Sequence, residues 1–442
     1  MKINGKSAGE IFDQIRSKIH SGDLRPGTLL PSVRELANDL KVNRNTVALA
    51  YKRLTDAGFV ISRGRNGTII REALTPVEIE GSAADIVLRD LASGNPAPSA
   101  LPLLSELALH IRSTPRLYGE PVIRPELEAA GLRWLQPDLS TDFELNLTNG
   151  AVDAVERVLA SYLIAGDRVA VEDPCFLSSI STLRHNRLQA AAVPVDAEGM
   201  QAEALSRQLS AGVQAVIITP RAHNPTGFGL SAERAEQIRI LLADYPQVLV
   251  IVDDHFSLLS THDYHHMIPD TTQNWALIRS TSKFLGPDLR LAFIASDSET
   301  SLRLRQRLNA GTNWVSHILQ DMAAAFMTSS RFREQIRVAR THYFEQRQVL
   351  VNALKKHGVT VSGQHDGLNV WVPLAQNSAA IVMQLAQRGW LVRRGEAFSL
   401  SNSCTGLRIT ISDMDAAEAE KLAKSLAGIL AQERQIQAEN RV

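Results

Sequence analysis

The chain has 442 residues, 44% hydrophobic and 21% charged, with 47 basic against 47 acidic side chains and two cysteines. That length suggests about two or three domains of an ordinary soluble protein, and the cysteine count excludes a disulfide framework or a cysteine metal cluster. No apolar run approaches membrane length and the amino terminus lacks the apolar core of a signal peptide, so a cytoplasmic location is expected and a membrane partner is not.

The zero net charge hides a segregation. Residues 1–72 carry thirteen Lys or Arg against seven Asp or Glu, a balance of +6, which leaves −6 for the remainder. A basic head on a mildly acidic body points to a nucleic-acid-binding module joined to a second function.

In the head, Ile11, Phe12, Ile15 and Ile19 recur at intervals of three and four, which predicts an amphipathic helix over residues 7–21. Ser32, with Glu35 three residues on, predicts a capping box opening a second helix whose inner face is Val33, Leu36, Ala37 and Leu40. Asn43 caps a third, with Val47, Ala50, Tyr51 and Leu54 inward. Two short strands, Phe59–Ser62 and Gly67–Ile70, are then expected around a turn holding Arg63 and Arg65, which makes a wing. Arg44, Asn45 and Thr46 start the third helix, where recognition helices meet base edges. Arg34, Lys52 and Arg53 suit phosphates.

On Leu30-Pro31-Ser32-Val33-Arg34-Glu35-Leu36-Ala37, Val42-Asn43-Arg44-Asn45-Thr46-Val47 and Gly67-Thr68, residues 7–71 resemble the winged helix-turn-helix head of the GntR family of bacterial regulators. Residues 73–84, with Thr75-Pro76, Glu78, Glu80 and Gly81-Ser82, lack apolar periodicity and are expected to be a linker between a domain at 1–72 and one at 85–442. A segment that short reaches at most about 40 Å, so head and body are close-coupled.

The body alternates helices with short apolar strands such as Arg168–Glu172, Ala215–Thr219, Val248–Val252 and Leu291–Ala295. Such runs predict an α/β domain with a mostly parallel sheet covered on both faces, its chemistry at the loops beyond the strands' carboxyl ends. Gly150 and Ala151 precede a helix expected from Asp153 to about Leu163, where free amides attract phosphate. Phe176, Asn224 and Asp253 each follow or close a strand. Lys283 sits among small polar residues in Arg279-Ser280-Thr281-Ser282-Lys283, with Arg290 beyond. Ser280, Ser282 and Arg290 offer the hydroxyls and guanidinium a phosphate dianion needs, and a desolvated lysine loses its proton more readily. The histidines at 262, 265 and 266 lack a second cluster, so no metal is expected.

The ordered set resembles fold-type I enzymes of the aminotransferase class that use pyridoxal 5'-phosphate (PLP), over roughly residues 90–430. The resemblance implies that Lys283 holds PLP as a Schiff base, Asp253 partners the pyridine nitrogen, Asn224 the phenolate oxygen and Phe176 the ring face. It implies a phosphate cup of Gly150, Ala151, Ser280, Ser282 and Arg290, a phosphate contact from Tyr118 across a dimer interface, and Arg408 as the grip on a substrate or effector carboxylate. One departure is His255, where the family usually has a tyrosine. An imidazole there is expected to titrate near neutrality and to alter the cofactor's electronics.

The order of the two parts resembles the MocR subgroup of GntR regulators, with the PtsJ branch as one possibility within it. That implies a homodimer, usually head to tail, that binds operator DNA and responds to PLP or to an amino compound, in vitamin B6 or amino-compound metabolism. The alternatives are an active aminotransferase with an appended head, or a body serving only dimerisation. Half-transamination is compatible with the sensor.

Overall fold

The structure, a computed structural model, describes residues 3–62, 67–70, 80–82, 87–361, 363, 365–401 and 404–439. The chain divides into two compact units, Met1–Glu78 and Ile79–Val442.

In the head, α1 (Ala8–His20) begins where the Ser7 side chain accepts from the Glu10 amide. α2 (Val33–Leu40) carries the expected capping box between Ser32 and Glu35, and α3 (Arg44–Asp56) opens with Asn43 accepting from the Asn45 amide. Their inner faces close a core of Ile11, Ile15, Leu36, Val47, Ala50, Tyr51 and Leu54. Tyr51 also donates its hydroxyl to the Pro31 carbonyl at 2.8 Å, tying α3 to the turn before α2.

β1 (Val60–Ser62) pairs antiparallel with β2 (Thr68–Ile70) as Val60↔Ile70, Ile61↔Ile69 and Ser62↔Thr68. The segment at Thr28–Leu30 bridges to Ile69 through Leu29 and bonds both ways with β2. Arg34, Arg44, Asn45, Lys52 and Arg53 are exposed and Thr46 is half-buried. The predicted wing residues Arg63 and Arg65 lie outside the described residues.

The body's strands are β3 (Arg89–Asp90), β4 (Glu144–Thr148), β5 (Arg168–Asp173), β6 (Gln189–Asp196), β7 (Gly199–Met200), β8 (Ala215–Ile218) and β9 (Leu249–Asp253), followed by β10 (Trp275–Ser280) and β11 (Ala292–Ser296). Beyond three long helices come β12 (Asn369–Pro373), β13 (Trp390–Leu391), β14 (Arg393–Arg394) and β15 (Gly406–Thr410). The main sheet runs β4-β11-β10-β9-β8-β5-β6-β7, with β11 antiparallel to both neighbours and β7 antiparallel to β6. This is the mostly parallel α/β sheet the apolar runs predict. Its central strands are buried throughout because helices cover both faces.

A smaller sheet, β12-β15-β14, sets Arg408 opposite Trp371 and Arg393. The helix expected from Asp153 runs Ala151–Tyr162, two residues earlier, because Gly150 at φ 95 is its N-cap. Between β11 and β12 run three helices, Ser298–Asn309, His317–Thr328 and Phe332–Lys356. Among the described residues no helix is long and apolar enough to cross a membrane, and no three metal-ligating side chains converge.

Candidate cofactor and effector site

The carboxyl ends of the parallel strands converge with one strand of the small sheet. Asp253 is the last residue of β9 and Ser280 the last of β10. Asn224 lies in the loop after β8, Gly150 after β4, and Lys283 in the turn leaving β10.

Adjacent carboxylates at the end of β9 have separate duties, because successive side chains leave a strand on opposite faces. Asp254, fully buried, accepts from Arg221 Nε and Nη2, each at 2.8 Å, and from Arg279 Nε at 2.9 Å. Burial alone would raise its carboxyl; the bonds and charges of Arg221 and Arg279 hold it below the ordinary range. Asp253 is also buried, yet its Oδ1 has no hydrogen-bond partner among the described residues. Burial, with the charge of Asp254 added, pushes it up to about 7.

Lys283 donates from Nζ to the Gly94 carbonyl at 2.9 Å. Burial lowers its pKa; Glu80 pulls it back up, and Arg408 and Arg290 push it down again. That is the direction an amine nucleophile needs.

Around it, Ser280 and Ser282 pair through their hydroxyls at 2.9 Å. The helix at Ala151 starts without a side-chain cap, leaving its first amides open. The Arg290 guanidinium crosses Gly150 so closely that a Cβ there would lie 2.6 Å from Nη2. Gly150→Ala is therefore expected to displace Arg290 and strain a left-handed backbone. It should cost about 1 kcal/mol in thermal unfolding and weaken binding of inorganic phosphate by roughly tenfold in a calorimetric titration.

Arg408, with no exposed surface, is held by partners that sequence reasoning missed. Its Nη1 donates to Glu80 Oε1 at 2.5 Å and its Nη2 to Glu80 Oε2 at 2.8 Å, a bidentate pair. Nη1 also reaches Asn224 Oδ1 at 3.0 Å, and the guanidinium lies 5.0 Å from the Phe398 ring centroid. Asn224 Nδ2 donates to the same Glu80 Oε1 at 2.8 Å. Glu80 belongs to the stretch expected to be a plain linker, and nothing in its local pattern marks it.

A second missed group is Glu172, at the end of β5. It accepts from the Thr219 amide and hydroxyl at 3.0 and 2.8 Å and lies 3.4 Å from His223 Nε2. Burial pushes Glu172 up to about 8 and His223 down to about 3, so near neutral pH the two meet largely as neutral groups.

The expectation that His255 titrates near neutrality is overturned. Burial, reinforced by the charge of Lys283, pushes it down to about 4, so the ring is neutral near pH 7. Phe176 is half-buried at the start of the helix Leu177–His185. Tyr118 does not join this cluster within the chain; it is 88% exposed, edge-on to Trp314 at 5.4 Å between ring centroids.

The site therefore fits a phosphorylated pyridine aldehyde. Asp253 Oδ1 awaits a donor, the glycine and amides at residue 150 form an anion cradle, and Lys283 is an amine of lowered pKa.

Residues 88–426 match the family described as aminotransferase class I and II, and residues 7–70 match the bacterial regulatory proteins of the gntR family. Along 96% of its length the chain is 52% identical to the vitamin B6 salvage pathway transcriptional repressor PtsJ of Salmonella typhimurium, of which it covers 98%. The chain belongs to the MocR subgroup of GntR-family regulators.

This MocR-type chain is also 24% identical to the probable rhizopine catabolism regulatory protein MocR of Rhizobium meliloti, over 86% of its own length and 81% of that protein's. Among solved structures, the kynurenine aminotransferase of Pyrococcus horikoshii superposes with a TM-score of 0.71 at 22% identity, covering 79% of this chain and 92% of the other. An alpha-aminoadipate aminotransferase of Thermus thermophilus gives 0.67 at 20%, covering 78% and 93%. These likenesses show the fold of the MocR-type body.

Proposed function

We propose that this MocR-type chain is a PLP-binding transcriptional repressor of vitamin B6 metabolism, whose body senses the cofactor or an amino compound joined to it and whose head reads an operator. The observation that carries the reading is Asp253, a buried carboxylate with an unsatisfied oxygen at the end of β9. A pyridine nitrogen is a suitable donor for it.

In this reading Asp253 keeps the ring nitrogen protonated, and Asn224 and His255 face the phenolate oxygen. Phe176 lies against the ring, and Gly150, Ala151, Ser280, Ser282 and Arg290 hold the phosphate. When bound, PLP supplies an aldehyde that joins a neutral amine, and Lys283 is that amine. His255, neutral across the physiological range, acts as a fixed hydrogen-bonding group.

Tyr118, exposed on the surface beside Trp314, suits a contact made to a second subunit, so we take the working unit as a homodimer arranged head to tail. In the head, Arg44, Asn45 and Thr46 meet base edges, and Arg34, Lys52 and Arg53 meet phosphates, with Arg63 and Arg65, outside the described residues, as further DNA contacts. A regulator of this kind works in the cytoplasm, where the DNA is. A ligand moves such heads only if it binds two arrangements of the dimer unequally.

Titration of the full chain with PLP, followed by visible absorbance and by gel mobility of its own upstream DNA, tests the reading. The parent should gain a visible band and change its mobility pattern, and Lys283→Ala should lose both responses. A band that survives in Lys283→Ala sinks the assignment. Sustained amino transfer with common amino acids would favour an aminotransferase instead.

A further inference from the structure

Arg408 is buried close enough to Lys283 for its charge to be felt there, and the chain's own Glu80 already pairs with it. The two carboxylate oxygens of Glu80 take the two terminal nitrogens of Arg408, the fork-on-fork geometry a free carboxylate adopts with arginine. Glu80 Oε1 also takes the amide of Asn224, a residue assigned above to the cofactor. A Cβ on Gly94 would lie 2.8 Å from Glu80 Oε2 and 3.2 Å from Arg408 Nη2, so the loop that holds Lys283 also walls in this pair.

The neighbouring backbone is fastened as well. The Gly81 amide donates to the Ser93 carbonyl at 2.9 Å, and Arg393 Nη2 donates to the Gly81 carbonyl at 3.0 Å. In sequence, Glu80 stands two residues past the boundary at Glu78 between the two units.

We propose that Glu80 is the resident occupant of the carboxylate seat at Arg408, so that the site admits an effector whose own carboxylate replaces it, and that this replacement releases the joint to the head. The inference rests on the PLP-site reading and names the effector class: an amino carboxylate, as distinct from a plain amine. Burial would raise the Glu80 carboxyl, but the charge and bonds of Arg408, with Asn224 and Lys283, hold it below the ordinary range, so the occupant is an anion that only another anion replaces well.

Two readouts on the PLP-loaded full chain test this. In calorimetric titration, Glu80→Ala should bind L-alanine roughly tenfold or more tightly than the parent does, whereas L-alaninamide, which lacks the carboxylate, should bind both chains alike. Glu80→Gln, which keeps the size and loses the charge, should behave as Glu80→Ala and guards against a folding artefact. In hydrogen exchange, the amides at residues 80–82 should be protected in the parent, exposed in Glu80→Ala, and exposed in the parent by L-alanine but not by the amide. Equal gains for acid and amide, no gain for the acid, or protection unchanged by L-alanine overturns the proposal. A parent with no PLP absorbance band overturns the underlying site reading, and this inference with it, and is told apart by that absorbance alone.

Discussion

Asp254→Ala is expected to cost the body about 3–5 kcal/mol, enough to lower its thermal midpoint by roughly 10 °C in a circular-dichroism melt. The side chain holds two guanidinium groups that have almost no solvent. Arg221 is 8% exposed and Arg279 fully buried, and each is bonded to Asp254 within 3 Å. Removing the carboxylate leaves two buried cations with partial compensation: Arg279 keeps Asp138 and the Trp134 carbonyl, and Arg221 keeps Ser257 and the His262 carbonyl. The penalty comes from those stranded charges more than from the lost pair itself. An unchanged midpoint would mean that the network is ornamental.

The neighbouring substitution should act in the opposite direction. Asp253→Asn removes a carboxyl that burial pushes up to about 7 and that has an oxygen without a partner. The sign follows from proton binding. Unfolded, an aspartate releases its proton near pH 4; folded, this one holds it to about 7. The folded chain therefore binds more protons in that window, and its stability falls as pH rises from about 4 to 7, then levels.

Free of PLP, Asp253→Asn should match the parent below that window and exceed it at pH 8 by up to ~4 kcal/mol. Glu172, raised by burial to about 8, is unaffected by the exchange and leaves a residual slope of the same sign. His223 and His255, both depressed, act on the acid side, where stability falls as pH drops below about 6.5. With PLP present the order should reverse, because asparagine supplies no charge for a protonated pyridine; affinity should fall roughly a hundredfold by absorbance titration. Melts of both chains across pH, with and without PLP, check the pair of claims.

The contrast between these two aspartates shows what was legible beforehand. The placement of Asp253, Asn224 and Lys283 could be read from short motifs at strand ends, since a parallel sheet brings such ends together whatever the distance along the chain. The head was legible down to its caps, because capping and helical periodicity are local.

Glu80 was not legible. Its partner Arg408 is 328 residues away, and a glutamate in a polar stretch carries no local mark of burial. The extra edge at Thr28–Leu30 was likewise hidden, because backbone pairing with β2 leaves no trace in side-chain alternation so brief. His255 was misjudged in its titration, since desolvation is set by what packs around a ring and not by its neighbours in sequence.

The head's small core holds a further consequence. Among the described residues its buried apolar side chains, from Ile3 to Ile70, form a cluster of their own, distinct from the two clusters of the body. Operator preference and effector preference are therefore heritable separately: one can be rewritten on the exposed face of α3 without repacking the fold that houses the other. A lineage that duplicated such a gene could acquire a new regulon by drift at the exposed positions of α3, and chimeras that exchange heads at the boundary after Glu78 are the laboratory form of that history.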